Sequence, residues 1–228
     1  MSSDPSTRAE VSDAAGERRE RLTTDRVLSG ALELADAIGI EPFTIRKLAA
    51  HLDVKPMTIY HHVPNKEAII DGIVDRVFAE VELPPHDLPW RAAIRERCLS
   101  MRDVLGRHPW ATPLMESRTS PGPATMRHHD EVLGCLLRGG LSMASTADAY
   151  AVSDSYVYGF ALQEASLPFD DGDDIGELAE AIISTLPAEE YPHLTRFTAE
   201  YVLQPGYSFS SSFTVGLDLL LEGIEAGT

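Results

Sequence analysis

Residues 44–66 read TIRKLAAHLDVKPMTIYHHVPNK, and the fold turns on this stretch. Ile45, Leu48, Ala49 and Leu52 fall at the i, i+3, i+4, i+7 spacing that lines one face of a helix. Thr44 stands just before them, where its hydroxyl can accept the backbone N–H groups left free by a first turn. The period breaks at Leu52-Asp53-Val54, and Asp is among the few residues besides glycine that tolerate a left-handed backbone. Pro56 reopens a helix at its first position, where a missing N–H costs nothing. Ile59 and Val63 then turn inward and leave Pro56, Met57, Thr58, Tyr60, His61 and His62 on the outside. A helix this short has little core of its own, and one that displays Thr, Tyr and His suits insertion in a DNA major groove.

With flanking helices expected over 24–39 and 65–83, the stretch resembles the DNA-binding domain of the tetracycline-repressor (TetR) family. The resemblance rests on the Thr44-Ile45-Arg46-Lys47-Leu48-Ala49 opening, on Thr58-Ile59-Tyr60-His61-His62-Val63, and on Asn65-Lys66 at the start of the next helix. Lys55 departs from it, standing where a small hydroxyl or Asn would precede the second helix. The resemblance implies an all-α protein of about nine or ten helices with a helix-turn-helix unit ahead of a helical bundle. Residues 1–21 are expected as a disordered arm, 22–66 as the DNA-binding domain, and 67–228 as a ligand-binding and dimerisation domain.

A net charge of −17 over 228 residues is unexpected in a DNA binder. Arg46, Lys47, Lys55 and Lys66 against Asp53 alone give residues 44–66 a net +3, which leaves −20 for the remainder. The charge is segregated, so DNA would be repelled by the acidic body and accepted by a small basic footprint. Cys98 and Cys135 lie in apolar helical stretches and read as small buried hydrophobes in a reducing compartment. No apolar run reaches the ~18 residues of a membrane span, and no signal-peptide core precedes the first helix. A soluble, cytoplasmic protein is expected.

Along the chain, Arg18, Arg19 and Arg21 could reach a minor groove as an arm, or belong to a solvated tail with the interleaved Glu17 and Glu20. Thr24 is expected to cap the first helix, with Val27, Ala31, Leu34, Ala35 and Ile38 inward and Gly39 closing it. Asn65 caps a helix lined by Ile70, Ile73, Val74, Val77 and Val81, which links the DNA-binding unit to the C-terminal region. Helices are then predicted over 90–108, 109–117, 124–138, 142–166, 175–186 and 209–225, with an acidic loop at 170–174.

Arg46 is the one side chain of the motif able to make a bidentate contact with a guanine edge, or else it meets a phosphate. Thr44, Pro56, Met57, Thr58, Tyr60, His61 and His62 complete the expected DNA face, and Lys66 at a helix start would meet a phosphate. In the resemblance, the long helix over 142–166 and the last helix form a four-helix dimer interface, which implicates Gly159, Phe213, Gly216, Leu217, Leu220 and Ile224.

The C-terminal part is similar to the tetracycline-sensing branch, most of all over 102–121, 150–163 and 213–225. That branch binds a drug–magnesium complex through polar and histidine ligands. Glu82 and Glu116 stand where those histidines would lie, so that specificity does not carry over. What carries over is a cavity for a small lipophilic effector, with Met101, Leu105, Trp110, Met115, Met126, Tyr156, Phe160 and Gln163 as candidates to line it.

His128-His129-Asp130-Glu131 has adjacent residues facing different ways, and the 170–174 run lacks the glutamate of a calcium loop. No metal or other cofactor is expected. Phosphate loops, nucleophile elbows and paired Cys or His ligands are missing from the sequence, which leaves no constellation that asks for catalysis. The expected partners are a palindromic double-stranded operator, a small-molecule effector and a second copy of the chain. The rival reading is a helical carrier or enzyme with a vestigial motif, and repressor and activator are not separable from sequence.

Overall fold

The computed structural model describes residues 21–167, 179–181, 183–185 and 187–226. Residues 1–20 of the expected 1–21 arm, the acidic loop at 170–174 and half of the predicted 175–186 helix lie outside the described residues. All regular structure among the described residues is helical. In order these are α1 (Thr24–Ile38), α2 (Ile45–His51), α3 (Pro56–Tyr60), α4 (Lys66–Glu80), α5 (Trp90–Arg107), a 3-10 turn (Pro109–Leu114), α6 (Pro123–Arg138), α7 (Met143–Ser166), α8 (Pro192–Phe197), a π-turn (Thr198–Val202) and α9 (Ser212–Ala226).

The ends of the first helices follow from single side chains. Thr23, not Thr24, caps α1 by accepting the Arg26 N–H at 3.1 Å, while the Thr24 hydroxyl donates to the His62 carbonyl at 3.1 Å. Sequence offered two adjacent threonines, and the tertiary bond to His62 takes the second. Thr44 caps α2 through the Lys47 N–H, and Asn65 caps α4 through the Ala68 N–H. Asp53 takes a φ of 51°, as the break between α2 and α3 requires. Lys55 precedes α3 without a side-chain cap, so Pro56 alone sets that start.

Val27, Ala31, Phe43, Leu48, Ile59 and Val63 form a small core under α1–α3, and α4 closes it. The same α4 buries Ile69, Ile70, Ile73, Val74, Val77 and Phe78, and also packs on α5, α6 and the 3-10 turn. One continuous apolar cluster therefore runs from the N-terminal unit to Phe213, Leu217 and Leu221 of α9. In the C-terminal bundle α5 lies against α7, α6 against α4 and α7, and α9 against α7 and α5. Pro113 inside the segment after Pro109 leaves it a tight 3-10 turn rather than the α-helix predicted over 109–117.

The bundle has a charged centre that the helical periodicity gave no hint of. Arg97 of α5 is fully buried and its guanidinium donates to Asp154 of α7. It also donates to His128 Nε2 of α6, from Nε at 3.0 Å and from Nη2 at 2.6 Å. Burial by itself would lower the Arg97 proton affinity, and the Asp154 carboxylate beside it outweighs that. Removing one member of such a pair leaves the other charged and dry, at a cost of about 3–5 kcal/mol. Asp154→Ala should lose stability of that order in urea denaturation. Replacing Arg97 and Asp154 together by Met and Leu should cost much less.

Candidate functional site

The N-terminal unit presents α3 as its outermost element. Ile59 and Val63 are buried beneath it, while Met57 is 67% exposed and Tyr60 43% exposed. Pro56 and His61 are exposed, and Thr58 and His62 are half-buried at the edges of the same face. Thr44, Arg46, Lys47 and Lys55 are exposed on α2 and on the turn into α3, so the basic side chains flank the apolar and hydroxyl surface. Lys66 is engaged already. Its Nζ donates to the Phe43 carbonyl at 2.9 Å and lies 5.7 Å from the Phe43 ring, tying the start of α4 to the loop before α2. An exposed short helix on a buried anchor, with cations on its flank, is the geometry of a helix-turn-helix unit.

The eight candidates for an effector cavity do not converge. Met126 is 59% exposed and Gln163 is exposed, both facing outward from α6 and α7. Met101 is fully buried core, and Trp110 is buried with its indole N–H donating to Asp36 at 2.7 Å. Tyr156 and Phe160 join Phe209 and Phe213 in an aromatic cluster, with Tyr156 stacked on Phe213 at 5.3 Å. Met115 lines a small hollow of about 100 Å³ with Thr125 and His129.

Leu105 alone of the eight lines a cleft of about 660 Å³ between the C-terminal ends of α5 and α7. Its walls include Arg102, Arg107, Pro109, Ala161 and Glu164. Arg102 donates to Glu164 at 2.8 and 2.5 Å, and its guanidinium lies 4.7 Å from the Phe213 ring centre and 5.3 Å from that of Phe160. Sequence reading missed this ion pair. No local pattern relates Arg102 to Glu164, whose helices meet only in the fold.

Of the six residues expected at a dimer interface, Gly159 is exposed and the other five lie against their own chain. Phe213 and Leu217 are fully buried within their own chain, and Leu220 and Ile224 pack against the same core. Gly216 approaches the Tyr156 hydroxyl so closely that a Cβ would collide with it, and Tyr156 donates to the Phe213 carbonyl at 2.9 Å. The amphipathic stripe of α9 thus faces inward. What remains outside is Val215 at 62% and Leu219 at 65% exposure on α9, beside Val152, Gly159 and Leu162 on α7. Gly159 keeps open space where a Cβ would stand.

His128 is held neutral. Burial first, then the Arg97 charge and His129, lowers it from 6.5 to about 2. Its Nε2 accepts from Arg97, which places the proton on Nδ1. That Nδ1 and Asp154 Oδ2 are buried without a hydrogen-bond partner among the described residues. The unfolded chain binds a proton at this histidine near 6.5 while the folded chain refuses it. This contribution to stability is therefore complete above that pH and falls by about 1.4 kcal/mol per pH unit below it. His128→Gln should flatten that part of the slope in denaturation curves taken from neutral to acid pH.

This architecture, a helix-turn-helix unit on a helical bundle that buries its own polar centre, is that of a two-domain DNA-binding regulator. Residues 27–73 match the model of the bacterial regulatory proteins of the tetR family, and residues 83–228 match the tetracyclin repressor-like C-terminal domain. An HTH-type transcriptional regulator of Saccharopolyspora erythraea is 32% identical over 209 residues, covering 90% of this chain and 85% of that protein. The class E tetracycline repressor protein of Escherichia coli is 31% identical over 147 residues, covering 63% and 69%. The crystal structure of the Streptomyces coelicolor TetR family protein ActR in complex with actinorhodin superposes with a TM-score of 0.72. It is 27% identical, over 91% of this chain and 99% of that one. The chain belongs to the TetR family of bacterial transcriptional regulators.

Proposed function

We propose that the protein is a homodimeric repressor that leaves a palindromic operator when a small molecule binds its bundle. The observation that carries this reading is the presentation of α3, whose Ile59 and Val63 are buried while Met57, Tyr60 and His61 stand free beside Arg46. One such helix covers a half-site, and a two-fold dimer sets two of them about 34–36 Å apart, one DNA turn. The exposed apolar pair Val215 and Leu219, with Val152, Gly159 and Leu162, supplies the dimer face. The class E relative is named a repressor, which favours repression over activation. These relatives are named as regulators and not as enzymes, and no helix among the described residues is long and apolar enough to cross a membrane.

For the effector we assign the cleft between α5 and α7. A volume near 660 Å³ falls within the range of sites for drug-sized ligands. Leu105, Ala161 and Pro109 offer an apolar wall, and the Arg102–Glu164 pair offers polar anchors. A small molecule with one apolar face and several polar groups fits a lining that also includes Asp103, Arg107 and Ser210. Actinorhodin, seen bound to ActR, is the first probe to try.

Fluorescence anisotropy on labelled duplexes tiled across the upstream region, over a salt series, tests the reading. Saturable binding to one palindromic tile with a steep salt slope supports it, and equal weak binding to every tile overturns it. Arg46→Ala should weaken that specific binding by about 1–3 kcal/mol with the melting temperature unchanged. Leu219→Glu should shift the protein toward monomer in sedimentation velocity and weaken operator binding with it. A Leu219→Glu dimer as tight as the parent would move the interface elsewhere.

A further inference from the structure

The N-terminal unit is fastened to the bundle at two places on α1. Near its start, Arg76 of α4 donates to the Ser29 hydroxyl at 2.9 Å and to the Asp25 carboxylate at 2.5 Å. Asp25 is largely exposed, so water competes for that contact. Near the end of α1, Asp36 meets the residues just beyond α5. His108 Nδ1 lies 2.6 Å from Asp36 Oδ1, and the Trp110 indole N–H reaches the same oxygen at 2.7 Å. The other ring nitrogen of His108 lies 3.3 Å from both Glu80 oxygens at the end of α4. Arg107 donates to that same Glu80 at 2.8 Å.

His108 is buried, with both ring nitrogens facing carboxylates from two different helices. The ring joins α1, α4 and the end of α5 at one point. We infer that Asp36, His108 and Glu80 form a clamp that fixes the DNA-reading head to the effector-binding bundle. It positions α3 without touching DNA.

Resting on the function proposed above, the clamp also names the route of regulation. Arg107 and Pro109, on either side of His108, line the cleft assigned to the effector. A ligand that spreads α5 from α7 moves both neighbours of His108, and so bears directly on Asp36. Coupling needs a contact that differs between two states, and a shared histidine between two carboxylates can be made or broken as a unit.

The test uses the full chain with no effector. Ala50→Cys in the head and Asp148→Cys on α7 are exposed sites for spin labels, while Cys98 and Cys135 are buried. Labelled protein diluted into unlabelled protein gives the distance between head and bundle within one chain. His108→Phe removes both ring nitrogens and keeps a ring, and Asp36→Asn removes the carboxylate and keeps an acceptor for Trp110. Each should broaden the distance distribution and weaken binding to the palindromic duplex by roughly 5–150-fold. The double variant should be little worse than either single one, because both break one unit.

Unchanged distances in both single variants would overturn the clamp, as would losses that add in the double variant. Should His108→Phe fail to fold, Asp36→Asn by itself decides. The distance readout needs no DNA. A parent protein that binds no duplex would therefore refute the proposed function and leave the clamp to be judged separately.

Discussion

Everything in this molecule depends on α4 being buried on two sides at once. Its residues Ile69, Ile70, Ile73, Val74, Val77 and Phe78 lose their contact with water to the N-terminal unit on one side and to the bundle on the other. Each such side chain contributes about 1.5–3 kcal/mol by burial, so neither partner can leave α4 cheaply. The head cannot therefore behave as a bead on a tether. Polar contacts from Asp25 and Asp36, at the two ends of α1, add to that packing. Hydrophobic burial supplies the adhesion, and directional hydrogen bonds supply the angle.

The bundle solves a different problem. Burying Arg97 against Asp154 and His128 is a poor route to stability, since desolvation offsets most of the attraction. It does constrain geometry. The guanidinium of Arg97 on α5 reaches Asp154 on α7 and His128 on α6, so its directional bonds tie the three helices at one point. The cleft beside this centre keeps its own ion pair, Arg102–Glu164, braced by the Ser210 hydroxyl at 2.7 Å and by two phenylalanine rings. The polar centre and the cleft thus draw on the same two helices, α5 and α7.

The N-terminal unit was largely legible in the sequence because its signals are local. The left-handed Asp53, the caps Thr44 and Asn65, Pro56 at a helix start, and inward Ile59 and Val63 each follow from neighbours a few residues away. The C-terminal sites were read less well for the same reason. The apolar stripe of α9 is visible in sequence, but whether it faces its own bundle or a second copy depends on where Tyr156 and Phe160 lie. Met126 and Gln163 sit on predicted helices, yet the rotation of α6 and α7 turns them outward.

Local periodicity, capping and charge thus determined by themselves that the chain is helical, the order of its first four helices to within a few residues at their ends, and which short helix is offered outward. Tertiary structure decided the pairings 28–74 residues apart, among them Arg97 with His128 and Asp154, His108 with Asp36 and Glu80, and Trp110 with Asp36. The reason is physical. A cap or a helix face is satisfied by atoms within one or two turns, whereas a buried charge is satisfied by whichever helix the packing brings to it.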